Sequence, residues 1–232
     1  MTLAEQVFHQ LRRDIVSGKL KPMQPLRLDH LKKLYGVGFS PLREALNRLQ
    51  SERLVQSVAL RGFTVAPASQ REMWDAIETR ILIETRALRL SIALGDDDWE
   101  SRLVGSLHAL TLQHKRMADN NAAASADEDE ALEARHQEFH ATLISACGSE
   151  RLIDFAQKLY IQTERYRYSG LHQRLPVGDR DVRAEHGALL SAAIDRDADR
   201  AAALLKRHYR LTGEMLDRTF DPSLGEKKAM SS

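Results

Sequence analysis

Residues 40–67 read Ser-Pro-Leu-Arg-Glu-Ala-Leu-Asn-Arg-Leu-Gln-Ser-Glu-Arg-Leu-Val-Gln-Ser-Val-Ala-Leu-Arg-Gly-Phe-Thr-Val-Ala-Pro. This stretch decides the fold of the first part of the chain. Ser40 is a favourable N-cap, and Pro41 suits the first helical position because that position needs no backbone N–H. The spacing predicts one apolar helix face, formed by Leu42, Ala45, Leu46 and Leu49. The other face carries Arg43, Asn47 and Gln50.

Two short strand-like runs follow this helix, at residues 55–58 and 62–66. Residues 59–62 fit a tight connection, because Gly62 can adopt a positive φ. A basic helix followed by a small β wing suits DNA, with the helix in the major groove and the wing beside it. The alternative is an ordinary amphipathic helix and hairpin whose charges are only solvated.

The residues before this helix complete a helix-turn-helix pattern. Apolar residues spaced along 3–15 predict a first helix closed by Ser17 and Gly18. Residues 21–25 are expected to form a turn, and residues 28–35 a short second helix. The Gly-Val-Gly run at 36–38 then leads into the helix at Ser40, and two helices joined by a short glycine turn are typical of DNA-binding proteins.

Composition supports a two-part protein. The chain of 232 residues has a net charge of +1, but residues 1–68 carry +6 and the remainder −5. A basic N-terminal part and an acidic C-terminal part favour a DNA-binding domain joined to one that does not touch DNA. The single cysteine, Cys147, excludes an internal disulfide, and no apolar run approaches membrane-span length. Without a signal-peptide pattern, we expect the protein in the reducing cytoplasm.

The rest of the chain predicts helices alone. A capping box at 69–72 opens a long helix to about Leu94, and aspartates at 96–98 cap the next. Further helices are expected to about Gly148, over 150–168, over 179–195 and over 197–220. Residues 119–130 are expected to be a loosely ordered connection, 170–178 a loop and 221–232 a disordered tail. We therefore expect a mainly α protein: a winged helix-turn-helix domain at 1–68, then an antiparallel bundle of about six helices at 69–220.

The first 68 residues resemble the winged-helix domain of the GntR family of bacterial repressors. The resemblance rests on Ile-Val-Ser-Gly-Lys-Leu-Lys-Pro at 15–22, residues 31–37, Pro-Leu-Arg-Glu-Ala-Leu at 41–46 and Arg-Gly-Phe-Thr-Val at 61–65. Many members have Ser-Arg-Thr where this chain has Gly-Phe-Ser at 38–40, so a phenyl ring replaces an arginine that often contacts DNA. The residues expected to contact DNA are Arg27, Phe39, Ser40, Pro41, Arg43, Asn47, Arg61 and Gly62.

The chemistry of three of these side chains suits base or backbone contacts. Arg43 could donate two hydrogen bonds to a guanine, and Asn47 could pair with an adenine. Arg61 in the wing could reach a minor groove or phosphates.

Four of the nine histidines fall on apolar helix faces of the predicted bundle: His136, His140, His186 and His208. His136 and His140 are four residues apart, so both imidazoles can approach one ion. Inward histidines on three helices could converge on zinc, or on nickel or another transition metal that prefers imidazole. The alternative is a set of hydrogen-bonded core histidines.

The bundle also resembles the FCD effector-binding domain of the FadR-type branch of that family. Many FCD domains bind a divalent metal through an aspartate and a histidine four residues apart and two later histidines. His140, His186 and His208 match the histidines, while His136 stands where the aspartate is most often found. The resemblance therefore implies a metal site, here made of imidazoles alone.

Arg80 and Glu84 are one turn apart on the first bundle helix and match an Arg-x-x-x-Glu pattern of the FCD domain. A helix-face ion pair is the alternative, but the resemblance favours Arg80 as a clamp on a ligand carboxylate. Arg167 could supply further donors, or could belong to a solvated helix end. Residues 36–38, 135–140 and 146–149 also resemble carbon-starvation regulators that respond to glutarate-type dicarboxylates.

Together these features predict a homodimeric, cytoplasmic transcriptional repressor without enzymatic activity. Its expected partners are a double-stranded DNA operator, a divalent metal and a small carboxylate effector that changes operator affinity. One alternative is a metal-dependent helical enzyme with a nucleic-acid-binding domain. It lacks a clear nucleophile or general base, since Arg80 would neutralise Glu84, the one candidate. A metal sensor without an organic effector is the other alternative.

Overall fold

The computed structural model describes residues 1–59, 62–119, 126–172 and 180–220. The described chain forms two compact units. The first comprises residues 1–59, 62–73, 161–172 and 219–220, and the second comprises residues 74–119, 126–160 and 180–218. Among these residues, no helix is long and apolar enough to cross a lipid bilayer.

The first unit contains a helix-turn-helix and a small antiparallel sheet. Its helices are α1 (Leu3–Val16), α2 (Leu28–Tyr35) and α3 (Phe39–Ser51), and its strands are β1 (Pro25–Leu26), β2 (Val55–Val58) and β3 (Gly62–Val65). The strand order is β1-β3-β2, and Val55 pairs with Val65 at the base of the wing. The helices share a core whose fully buried members include Leu11, Leu42, Leu46 and Leu49. Each such leucine contributes about 1.5–3 kcal/mol through burial.

The start of α3 differs from the prediction. Gly38, in an extended conformation, is the N-cap, and the helix begins at Phe39. Ser40 is therefore the second helical residue, and its prediction as N-cap was wrong. Pro41 is the third residue instead of the first, a position where the backbone N–H still has no intrahelical acceptor, so the proline costs no hydrogen bond.

The last residue of the predicted turn at 21–25 is the first residue of a strand. Pro25 and Leu26 form β1 and pair with Thr64 and Phe63 of β3. A proline is tolerated there because β1 lies at the edge of the sheet. The pairing joins residues far apart in sequence, so the local pattern could not show it.

Six helices follow in the described part of the chain: α4 (Gln70–Leu94), α5 (Asp97–Asp119), α6 (Ala126–Ile144), α7 (Glu150–His172), α8 (Val182–Ile194) and α9 (Ala198–Asp217). A short 3-10 turn, Arg218–Phe220, comes after α9. The mainly α fold with a winged helix-turn-helix and a helical bundle is thus confirmed. The division at residue 68 stays a prediction; the first compact unit runs to Met73 and also includes the second half of α7.

Two helix ends were predicted wrongly. Residues 126–130, expected in a loose connection, form the first turns of α6, where three acidic residues complement the helix dipole. Residues 170–172, expected in a loop, continue α7. The predictions for 120–125, 173–179 and the tail at 221–232 lie outside the described residues.

Side-chain caps fix the starts of these helices. Ser69 Oγ accepts a hydrogen bond from the Glu72 backbone N–H at 3.2 Å, as the capping box predicts. Asp96 Oδ1 accepts from the Trp99 backbone N–H at 2.8 Å. The caps set where α4 and α5 begin, and hence which residues face the bundle core.

Candidate functional site

Four imidazoles converge in the core of the second unit. His136 and His140 come from α6, His186 from α8 and His208 from α9. Each offers one nitrogen, and these four nitrogens all lie within 4.8 Å of one another. His140, His186 and His208 are buried, and His136 is partly exposed. The structure therefore brings together the four histidines that the sequence placed on inward helix faces.

The donor atoms fit a metal ion. Nε2 of His140 and Nε2 of His186 are buried and have no hydrogen-bond partner. Burying an unsatisfied polar nitrogen costs about 1–3 kcal/mol, which an ion bound at that nitrogen would remove. Four nitrogens that lie about 2.1 Å from one ion in tetrahedral geometry are about 3.4 Å apart, so separations of up to 4.8 Å have to close by up to about 1.4 Å when an ion binds.

The environment keeps the buried imidazoles neutral, which is the form that binds metals. Burial lowers the pKa of His140 well below its usual value, and the other three imidazoles and Arg80 lower it further. Burial also lowers the pKa of His186 well below its usual value, with His208 adding to the effect. The pKa of His208 is lowered by burial as well, although its hydrogen bond to Glu185 opposes the shift.

Hydrogen bonds assign the tautomers of two of these histidines. His208 Nδ1 lies 2.7 Å from Glu185 Oε2, a carboxylate that can only accept, so Nδ1 carries the proton. His136 Nδ1 lies 3.2 Å from the hydroxyl of Tyr160, and that hydroxyl donates its hydrogen to Glu133 Oε1 at 2.6 Å. His136 Nδ1 is therefore also the donor. In both rings the lone pair is on Nε2, available to a metal.

The carboxylate of Glu185 is itself held in place. Arg180 donates two hydrogen bonds to it, from Nε to Oε1 and from Nη2 to Oε2, both at 2.7 Å. Burial acts to raise the pKa of Glu185, but the hydrogen bonds from Arg180 and His208 outweigh it and lower the pKa to about 2. Glu185 thus stays ionised and orients His208 at any physiological pH.

A cavity of about 200 Å³ adjoins this cluster at His140. Its polar lining comes from Arg80, Glu84, Gln137, Gln157 and Tyr160, besides His140. Its apolar wall is formed by Ala141, Ile144, Ile153 and Ala156. A small ligand with one charged end and a short hydrocarbon part matches this lining.

Arg80 is buried and hydrogen-bonded at the cavity wall. Its Nε donates to Glu84 Oε1 at 2.5 Å and its Nη2 to the Tyr209 hydroxyl at 3.0 Å. The guanidinium carbon also lies 4.8 Å from the ring centroid of Tyr160 and 4.3 Å from that of Tyr209. The helix-face ion pair that the sequence left open between Arg80 and Glu84 is therefore present, and it is buried. Glu84, held by a cation and a hydroxyl, is poorly placed as a general base.

Arg167 is the third residue that the sequence assigned to effector binding. It belongs to the part of α7 grouped with the first unit, and it is not among the residues that line the cavity. Its Nη1 donates to Thr163 Oγ1 one turn earlier at 2.9 Å. The side chain is buried, so the alternative of a solvated helix end does not describe it.

Sequence reasoning missed four polar residues around the imidazoles: Tyr160, Arg180, Glu185 and Tyr209. Glu185 and Tyr209 directly neighbour His186 and His208, so inspection of adjacent residues could have found them. Tyr160 on α7 lies 3.2 Å from His136 Nδ1, and Arg180, which precedes α8, lies 3.3 Å from His208 Nδ1, so both contacts join segments far apart in sequence. No pattern in the sequence marks those two residues.

The exposed face of α3 carries the predicted DNA-contacting side chains. Phe39, Arg43 and Asn47 recur every four residues and are all exposed, opposite the buried leucines. Lys32 Nζ lies 5.0 Å from the ring centroid of Phe39. Ser40 is also exposed, and Pro41 is half-buried.

Two more predicted DNA contacts flank this helix. Arg27 is exposed and stands at the N-cap of α2. Gly62 opens β3 with a φ of +80°, the left-handed conformation that the predicted tight connection requires. Arg61 lies outside the described residues.

Comparison with protein families identifies both parts of the chain. The family described as "Bacterial regulatory proteins, gntR family" matches residues 3–65, and the "FCD domain" matches residues 75–211. The chain belongs to the GntR family, with an FCD domain. This GntR regulator is thus a DNA-binding transcriptional regulator, and the resemblance drawn from the sequence is confirmed.

Individual relatives of this GntR regulator are also described as transcriptional regulators. It is 41% identical over 89% of its length, and 82% of the relative's, to "Uncharacterized HTH-type transcriptional regulator BphR" of Paraburkholderia xenovorans. It is 33% identical over 87% of its length, and 90% of the relative's, to "HTH-type transcriptional repressor GlaR" of Escherichia coli. Among solved structures, E. coli McbR/YncC shares the fold with a TM-score of 0.76 at 20% identity, covering 95% of this chain and 100% of that one.

Proposed function

We propose that this protein is a metal-dependent, ligand-responsive repressor without enzymatic activity. In this proposal His136, His140, His186 and His208 hold one divalent ion. A small organic carboxylate enters the adjoining cavity, and its binding changes the affinity of the winged-helix domain for an operator. The observation that carries the proposal is the pair of buried, unpartnered Nε2 atoms of His140 and His186 within a cluster of four imidazoles.

The chemistry of the cluster favours zinc. Neutral imidazoles suit zinc, nickel and copper better than magnesium or calcium, which prefer oxygen ligands. Four imidazoles contribute no negative charge, so the full charge of the ion remains to attract an anion. Glu185 is ionised but bonds to Nδ1 of His208, where it orients the ring and is not a ligand.

The cavity supports a carboxylate as the effector. His140 lies both in the cluster and in the cavity lining, so a ligand in the cavity would be close to the ion. Arg80 lies in the same wall, where its charge is paired with that of Glu84, so the ion is the main attraction for an anion. Gln137 and Gln157 could donate to the other end of a C4–C6 dicarboxylate. The proposed effector is therefore a small carboxylate, with C4–C6 dicarboxylates as the class to test.

Repression and dimerisation complete the proposal. A relative at 33% identity is described as a repressor, which favours the same sign of regulation here. We further propose a homodimer that presents two winged-helix domains to a two-fold operator, since a single recognition helix covers only a half-site. Ligand binding would then act by changing the arrangement of the two domains.

Metal analysis tests the site directly. Wild-type protein, His140→Ala and His108→Ala are stripped with a chelator and titrated with zinc in a calorimeter. We expect one tight zinc site per chain in the wild type and in His108→Ala, whose histidine is exposed on α5. His140→Ala should bind zinc at least about 10-fold more weakly. An unchanged zinc affinity for His140→Ala contradicts the proposed site.

A DNA-binding assay separates this proposal from a metal sensor without an organic effector. DNA fragments selected by the protein from a random pool serve as the probe, with chelator, with zinc, and with zinc plus C4–C6 dicarboxylates. A response to metal alone supports the metal sensor. A further response to one of the acids supports the ligand-responsive repressor. If none of the acids changes DNA binding, the dicarboxylate part of the proposal is wrong.

A further inference from the structure

The hydroxyl of Tyr209 connects three groups that the proposed function treats separately. It donates to Glu84 Oε2 at 2.5 Å. It lies 3.0 Å from His140 Nδ1 and accepts a hydrogen bond from Arg80 Nη2 at 3.0 Å. Tyr209 is 4% exposed and Arg80 is 3% exposed, so bulk water does not compete for these contacts.

The hydrogens around this hydroxyl can be assigned one by one. A tyrosine hydroxyl has one hydrogen and can accept two hydrogen bonds. Its hydrogen goes to Glu84, because that carboxylate is paired with Arg80 and can only accept. Arg80 can only donate, and His140 Nδ1 must then donate as well. His140 is therefore the Nδ1–H tautomer, and its lone pair is on the buried Nε2 in the cluster.

We propose that Tyr209 is a positioning residue that holds His140 in its metal-binding tautomer and ties that ring to the Arg80–Glu84 pair in the cavity. The proposal rests on the proposed metal site, and it names the residue that connects the ion's ligand to the wall of the effector cavity. Tyr160 and Glu133 stand in the same relation to His136, because the Tyr160 hydroxyl donates to Glu133 and accepts from His136 Nδ1. The Tyr209 hydroxyl thus bonds to both a clustered histidine and a cavity arginine.

Removing the hydroxyl oxygen of Tyr209 tests the proposal. In Tyr209→Phe, His140 Nδ1 loses its acceptor, so both tautomers become populated. Loss of such a partner typically weakens metal binding by about 10–100-fold. Tyr166→Phe is the matched control, since Tyr166 is also buried but belongs to the first unit. The zinc affinity of each folded variant is measured by competition with a chromophoric chelator.

A second measurement does not depend on any metal. Nitrogen-15 NMR of the imidazoles in chelator-treated protein reports which nitrogen carries the proton, with the His140 signals assigned by their loss in His140→Gln. We expect the Nδ1–H form in the wild type and in Tyr166→Phe, and a mixture in Tyr209→Phe.

Glu84→Gln provides a milder test with the Tyr209 hydroxyl retained. Its amide can donate to Tyr209, so the hydroxyl hydrogen turns toward His140 and shifts the tautomer in the same direction.

The outcomes distinguish this proposal from the proposed function. Zinc binding by Tyr209→Phe within twofold of the wild type overturns the positioning role, as does an unchanged Nδ1–H signal in both variants. If wild-type protein binds no zinc, the proposed metal site fails. The NMR comparison still decides whether Tyr209 sets the tautomer of His140.

Discussion

Arg80 Nε lies 2.5 Å from Glu84 Oε1 on α4, and the two side chains are only 4% and 3% exposed. Breaking such a buried pair by removing one partner typically costs about 3–5 kcal/mol, since the remaining charge loses its counter-charge. We expect Arg80→Met to lower the free energy of unfolding by an amount in this range. Chemical denaturation followed by circular dichroism measures it.

The double variant gives the control for that prediction. Arg80→Met combined with Glu84→Met should lose less stability than Arg80→Met alone, because no charge remains buried. Arg135→Met breaks the exposed Arg135–Glu138 pair and should cost less than about 1 kcal/mol. Equal losses in Arg80→Met and Arg135→Met would show that Glu84 is not held as a buried anion.

Arg43 stands exposed on α3, one turn after Phe39 and one turn before Asn47. Its guanidinium can donate two hydrogen bonds to a guanine, a contact worth about 1–3 kcal/mol of discrimination. We expect Arg43→Ala to abolish preference for the selected operator, with a loss of about 10–100-fold in affinity. Fluorescence anisotropy with operator and scrambled duplexes at one salt concentration measures this.

Arg102→Ala on α5 removes the same charge from an exposed site in the second unit and should bind like wild type. Operator binding by Arg43→Ala as tight as wild type would mean that α3 is not the recognition helix.

The stability of the metal-free protein should depend on pH through the buried histidines. In an unfolded chain a histidine takes up its proton near pH 6.5. In the folded protein the pKa values of His140, His186 and His208 are lowered, by burial first in each case. Below about pH 6.5 the unfolded state therefore binds more protons, and the free energy of unfolding falls as the pH falls.

Thermal melts of chelator-treated protein between pH 8 and pH 5 test this dependence. Glu185 does not contribute in this window, because its stabilising effect is lost only as the pH falls below about 4.5 toward its lowered pKa of about 2. His186→Gln should flatten the curve, and His108→Ala should leave it unchanged. A melting temperature that does not fall from pH 7 to pH 5 would contradict neutral burial of these imidazoles.

Helical periodicity was enough to predict most of the fold and the four histidines. An amphipathic stripe depends on local spacing, so the inward positions of His136 and His140 follow from the sequence alone. The same stripe placed Leu42 and Leu46 in the core of the first unit, where both are fully buried. Features set by local spacing were thus accessible without a structure.

Features set by contacts between distant segments could not be predicted from the sequence. The bond between Tyr209 and His140 joins residues 69 positions apart, and the pairing of Pro25 with Thr64 joins two strands of the sheet. The N-cap of α3 was misplaced for a different reason. Ser40 has the better capping side chain, but the chain enters the helix from an extended Gly38, and backbone geometry prevailed over side-chain preference.

Phe39 leads to the last prediction, on operator sequence. This residue is 43% exposed and is the first of α3, on the same face as Arg43 and Asn47, and Lys32 Nζ lies 5.0 Å from its ring centroid. A phenyl ring cannot hydrogen-bond to a base edge, but it can pack against the 5-methyl group of thymine in the major groove. We therefore expect a thymine at one position of each half-site, next to the base read by Arg43.

Replacement of that thymine by deoxyuridine removes only the methyl group. We expect it to weaken wild-type binding by about 3–10-fold, in keeping with the loss of one buried methyl group at about 0.8 kcal/mol or somewhat more. Phe39→Ala should bind the thymine and deoxyuridine duplexes equally, because it has no ring to contact the methyl group. Phe39→Arg, which restores the arginine common in the family, should also lose the sensitivity and select a different base at that position. If wild-type protein binds every single-position deoxyuridine duplex as tightly as the thymine duplex, Phe39 does not read a thymine methyl group.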